Sequence, residues 1–172
     1  LRSYFWFSVP GRTFLREIKK LPQDYVLIHD FYLSFNPPFY NKHTNDRIFS
    51  IQIDHLLISK AGLFILETKN WSKETVESSN FRSPIEQVKR VSFALFIFIS
   101  NNIQLRNHHW GTKKIPIRNV IVMINHKPQA EFNFVKVKLL SEMNGYIKYF
   151  KPIFSDDEFN TLTSSLISAR EF

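Results

Sequence analysis

The chain has 172 residues, of which 44% are apolar and 18 are Phe, enough for one domain with a sizeable core and unlike a disordered chain. Its net charge is +8, from 23 Lys+Arg against 15 Asp+Glu, which favours polyanionic partners, nucleic acid foremost. The lack of cysteine excludes disulfides, a thiolate nucleophile and Cys-ligated zinc, and fits a reducing, cytoplasmic setting.

Residues 11–21 space Phe14, Ile18 and Leu21 on one helical face, and Pro22 ends the run. Residues 24–35 are rich in aromatic and aliphatic side chains and predict a strand. The Asn, Pro and Asp of residues 36–46 predict a loop. Residues 48–70 then alternate as two strands about a short turn, and residues 72–82 are a polar, exposed connection. Ser83-Pro84-Ile85-Glu86 has the form of a helix start, with Ser83 as N-cap, Pro84 first in the helix and Glu86 closing a capping box. That helix should reach about Asn101, and its later part, apolar all round, should be buried. Its apolar run is too short for a transmembrane helix, which needs roughly 20 residues. Residues 117–124 and 134–140 predict short strands. Residues 141–150 and 155–168 predict helices, the second with a capping box at Ser155 and Glu158. The order predicts one mixed α/β layered domain over residues 1–172.

The stretch from Ile51 to Trp71 carries the chemistry. Residues two apart in a strand share a face, so Glu67 and Lys69 point the same way. A two-residue Lys60-Ala61 or a four-residue Ser59–Gly62 loop sets Asp54 opposite Glu67, and Gln52 opposite Lys69. Facing carboxylates repel by up to ~1 kcal/mol, and a divalent cation between them reverses that sign. A three-residue Lys60–Gly62 loop instead sets Asp54 against Thr68, on the wrong face for sharing a metal. Both registers pair apolar with apolar, so hydrophobicity does not choose between them.

The sequence QIDHLLIS, then GLFILETKNW, then Pro84-x-x-Gln87, resembles the nuclease-related domain (NERD) family of the PD-(D/E)xK nuclease superfamily. The resemblance runs from about Gly11 to near Ser168, and its specificity lies in residues 52–71 and 84–87. It implies a restriction-endonuclease-like core, a mixed β-sheet flanked by helices, and metal-dependent hydrolysis of nucleic-acid phosphodiesters, DNA above all. By matching motif positions, Asp54 and Glu67 would bind Mg²⁺ or Mn²⁺, helped by the backbone carbonyl of Thr68. Lys69 would orient the attacking water or offset charge on the phosphate. Gln87 matches the family's helix glutamine and Gln52 the glutamine two before the aspartate. If Ser83 caps the helix, Gln87 falls in its first turn, at the positive end of the dipole where a phosphate could dock. Gln52, Lys89 and Arg90 are then candidate nucleic-acid contacts, and a partner protein is expected to deliver substrate.

The chain departs from the family pattern in two places. Gly11-Arg12 stands where Gly-Glu is usual, and the connection after Trp71 has Lys73 for a glycine and Arg82-Ser83 before Pro84 where an asparagine often stands. The first change opens an alternative: an inactive nuclease-fold module that binds nucleic acid or a protein. Other polar residues have simpler readings. His55 is expected on the face opposite Asp54, beside Ile53 and Leu57, as a core histidine. His108-His109-Trp110 is expected in a loop, Trp71 in the core, and Asp30 and Asp46 at turns or strand ends.

Overall fold

The computed structural model describes residues 1–4, 11–105, 110–111 and 114–170. In chain order the elements are β1 (Arg2–Tyr4), α1 (Arg12–Ile18), β2 (Val26–Asn41), β3 (Asp46–Ser59), β4 (Gly62–Lys69), α2 (Lys73–Ser78), α3 (Arg82–Asn102), β5 (Ile117–Met123), β6 (Val135–Leu139), α4 (Leu140–Tyr149) and α5 (Asp156–Ala169). The strands form one six-stranded sheet in sequence order. The β2–β3 and β3–β4 pairs are antiparallel, while β1–β2, β4–β5 and β5–β6 are parallel. This is the mixed sheet flanked by helices that a restriction-endonuclease-like core requires.

Both sheet faces are apolar because both are covered. Leu56, Ile58, Leu63, Ile65, Ile121 and Met123 pack with Val88, Leu95 and Ile99 of α3 and Leu162 and Leu166 of α5. Leu57, Phe64, Leu66, Val120 and Val122 pack with Phe14 and Ile18 of α1 and Met143 and Ile147 of α4. Among the described residues, no helix is long and apolar enough to cross a membrane.

The elements depart from expectation at five points. The 36–46 segment is not all loop: β2 runs on to Asn41 and pairs again with β3, leaving only residues 42–45 to turn. Pro37 and Pro38 do not break the strand, because the register shifts between Ser34 and Phe39 and a proline inside a bulge owes no ladder hydrogen bond. Residues 72–82 contain α2, whose Ser72 side chain accepts from the Thr75 N–H. The third departure is at α3, which starts one residue before Ser83. Its N-cap is Phe81, in the left-handed region at φ 56° and fully buried, so a packed ring rather than a hydroxyl sets the start. Glu86 therefore closes no capping box and instead lies 3.8 Å from Lys89. Fourth, the later part of α3 is buried on one face only: Ala94, Leu95 and Ile99 are inside, whereas Phe93, Phe96 and Phe98 are half-buried. Last, β1 is too short to show in the sequence, and Ser3 ties it to His29 at 3.0 Å. The capping box of α5 is present as expected, with Ser155 accepting from the Glu158 N–H and Glu158 accepting from the Ser155 N–H.

Candidate metal and phosphodiester site

The β3–β4 hairpin decides the site. Ser59 pairs with Gly62 and His55 with Leu66, so the loop is the two-residue Lys60-Ala61 turn. The turn is held from several sides: Ser59 Oγ accepts from the Ala61 N–H and donates to the Gly62 carbonyl, and Arg118 donates to the Ala61 carbonyl at 2.7 Å. Continued beyond its last pair, this register brings Asp54 level with Glu67. The three-residue alternative is excluded.

The ladder ends at His55–Leu66, and Asp54 sits in the gap that opens there. Its Oδ2 accepts from the Thr68 N–H at 3.3 Å and lies 3.5 Å from Thr68 Oγ1. A strand residue's N–H and C=O lie on the same edge, so the Thr68 carbonyl borders this gap as well. Glu67 is 8% exposed and continues the Leu63–Ile65 series, emerging under the α3 side of the sheet. Lys69 Nζ donates to Glu67 Oε1 at 2.7 Å. Burial raises the Glu67 carboxyl above its usual range; the Lys69 ammonium opposes this, and the neighbouring Asp54 carboxylate adds to it. The three side chains form one charged cluster at the end of the β3–β4 ladder.

Strict alternation mislocated one neighbour of Asp54. Ile53 belongs to the α3 side and Leu57 to the α1 side, so they do not share a face. Ile51 and Ile53 precede Asp54 on the same face that Leu56 and Ile58 occupy after it. The inside–outside phase of β3 therefore changes at Asp54. The same change occurs in β2 between Ile28 and Phe31, at Asp30, which has a φ of 49°. Because His29–His55 and Phe31–Ile53 keep one register, both strands switch together and Asp30 stands level with Asp54. Asp30 is thus a mid-strand residue. The signal was present in the sequence, since the apolar residues around Asp54 change from odd to even numbers.

His55 is buried as expected. Its ring stacks on Phe14 at 4.1 Å, and its Nδ1 lies 2.8 Å from Nδ1 of His29. Trp71 is half-buried against Phe81. Trp110 donates to Glu158, and His108-His109 lies outside the described residues. Asp46 takes Arg90 at 2.5 Å, which removes Arg90 as an uncommitted contact and ties α3 to the start of β3. Gln52 is exposed opposite Tyr32. Gln87 is exposed on the second turn of α3, not the first, because the helix begins at Arg82. Among the described residues, no hydrogen bond joins Gln87 to the carboxylates.

The model of the nuclease-related domain family (NERD) matches residues 11–124. The chain belongs to that family. The match runs from the start of α1 past the end of β5, and Asp54, Glu67, Lys69 and Gln87 all lie within it; β6, α4 and α5 lie beyond. No curated protein and no solved structure matches the chain.

The NERD pattern also gives meaning to the start of α1. Gly11, Thr13 and Phe14, the residues on either side of Arg12, line a hollow of about 280 Å³ together with Thr68, the hydrogen-bond partner of Asp54, and Asn70. The first turn of α1 holds no acidic residue. Glu17 does not replace it, because its carboxylate is bound to Lys20 at 2.7 Å. Among the described residues, no third acidic or histidine side chain joins Asp54 and Glu67 in a three-ligand cluster. Two carboxylates and a carbonyl still suit Mg²⁺, which usually keeps several waters and takes one or two carboxylates with substrate phosphate.

Proposed function

We propose that this domain hydrolyses phosphodiester bonds of DNA with Mg²⁺ or Mn²⁺ as cofactor. The observation that carries the reading is the convergence of Asp54, Glu67 and Lys69 where β3 and β4 part, in a chain of the nuclease-related domain family. Asp54, Glu67 and the Thr68 carbonyl would hold the ion, since hard oxygen donors around a raised carboxyl suit a divalent cation. When bound, such an ion lowers the pKa of a coordinated water and neutralises phosphate charge. Lys69, steadied by Glu67, orients the attacking water and offsets the charge that grows on the phosphate. Gln87, by its place in the family motif, would contact the substrate from α3. The net charge of +8 supports a polyanionic substrate. The cysteine-free composition supports a cytoplasmic setting, in which a partner protein would deliver substrate.

Isothermal titration with Mn²⁺ tests the ion site without relying on turnover. Wild type should bind saturably, and Asp54→Ala should lose at least about tenfold in affinity. Equal affinity in the two proteins would remove Asp54 from the site.

A second reading has its own observation: the hollow beside Thr68 is lined by Gly11 and Thr13, with no acid in the first turn of α1. An inactive module of this fold would bind nucleic acid with steep salt dependence and cut nothing.

A further inference from the structure

Three depressions at the β6 edge of the sheet run into one another. The first lies between α2 and the 125–130 loop, and the second follows that loop along β6; they share residues 127–130. The third, of about 450 Å³, lies where β5 extends past the start of β6, and shares Lys136 and Tyr146 with the second. The upper end begins at Asn125, which donates to Asn70, the residue after Lys69, at 2.9 Å. The three depressions therefore follow the edge strand and end near Asn70, and Asp54, Glu67 and Lys69 line none of them.

Their lining carries Lys73, Lys127, Lys136 and Lys138 with Glu77 and Glu131, and Phe134 stands at the far end. Lys138 lies over the Tyr146 ring at 5.4 Å and near enough to Glu142 to help lower its carboxyl pKa, and Lys136 lines two of the depressions. At the far corner, Phe134 is 83% exposed and holds a φ of 64°, a backbone that bulky residues rarely adopt. Asn119, in contrast, is only 9% exposed. Its Nδ2 donates to the Phe134 carbonyl at 3.1 Å, which fixes the orientation of the amide and leaves Oδ1 buried with no partner. Buried amide oxygens are rarely left unpaired. Asn119 lines the pocket beside an exposed ring with its buried oxygen unpartnered, which suits a group that has both a flat face and an N–H edge. Lys89 and Lys136 border the same pocket and suit the phosphates on either side.

We propose that single-stranded nucleic acid lies along the β6 groove, with one unpaired base seated against Phe134 and hydrogen-bonded to Asn119. The inference rests on the nuclease reading for its choice of ligand. A base stacked and paired within a duplex could not reach an acceptor this deep. The strand would pass over Lys138 and Lys136 along the edge of the sheet. Phe134, Lys136 and Lys138 all fall outside the segment matched by the family, so the device belongs to this chain.

Fluorescence anisotropy of a labelled single-stranded DNA oligonucleotide, in chelator so that nothing is cut, tests the proposal. Phe134→Ala removes an exposed ring and should leave folding intact. It should weaken single-strand binding by roughly tenfold, in line with the loss of one base stack, and leave affinity for the matching duplex unchanged. Lys136→Ala should lower the salt slope by about 0.7. Equal single-strand affinity for wild type and Phe134→Ala would overturn the proposal, even if the protein cuts DNA with metal present. Phe134-dependent binding without cleavage would uphold the groove and refute the nuclease reading instead.

Discussion

Asp54, Glu67 and Lys69 stand out because their surroundings give each charge a reason to be where it is. Glu67 is buried beside a second carboxylate, and Lys69 at 2.7 Å compensates only part of that cost. On the same strand, His55 shows the opposite economy. It and His29 form a buried imidazole pair that burial holds neutral, with pKa values lowered to about 3 and about 4. For His55 the neighbouring His29 adds to the lowering, whereas for His29 the Asp30 carboxylate opposes it. Both values lie below the unfolded value of about 6.5, so the unfolded chain takes up protons first as the pH falls. Stability should be fully present above about pH 6.5 and decline below it towards pH 4, by up to ~1.4 kcal/mol per pH unit for each histidine. Urea unfolding at about pH 7.5 and about pH 5 checks this sign. A midpoint that does not fall between them would show that the pair is not held neutral.

The β3–β4 hairpin brings those residues together, and Gly62 is what pins it. At φ 127° it occupies a backbone region that L side chains rarely adopt, and a Cβ there would meet the Pro116 carbonyl at 2.6 Å. Gly62→Ala should therefore cost at least about 1 kcal/mol, read as a lower melting temperature and urea midpoint. Unchanged stability would mean that the turn tolerates another geometry, and the alignment of Asp54 with Glu67 would lose its anchor. Much at this scale was legible in the sequence. The Phe14–Ile18 face of α1, the Ser155–Glu158 box of α5 and both strands of the hairpin follow from spacing and capping chemistry. What escaped depended on contacts distant in sequence. The start of α3 is set by the packing of Phe81, and β2 continues through two prolines because β3 supplies a partner beyond the bulge. The hairpin register itself was undecidable from hydrophobicity, and was fixed by Pro116 and Arg118 more than fifty residues away.

At the scale of the molecule, two helical layers enclose a mixed sheet, and the charged cluster lies where β3 and β4 part. The family match covers α1 to β5, while the edge strand and the last two helices are this chain's own surroundings for that core. Membership and the central charged residues were readable because QIDH and ETKNW are short, contiguous and chemically specific. The hollow at Gly11 and Thr13, the unpaired Asn119 oxygen and the groove along β6 were not, because each is assembled from segments far apart in the chain. The proposed metal-dependent phosphodiester hydrolysis would have to proceed without the acid that Arg12 replaces. The most direct measurement is cleavage of single- and double-stranded DNA by purified protein with Mg²⁺ or Mn²⁺ against chelator, with Lys69→Ala alongside. Metal-dependent cutting that falls by about a hundredfold or more in the variant is the predicted result. Folded wild-type protein that binds DNA and cuts none under any metal would contradict it.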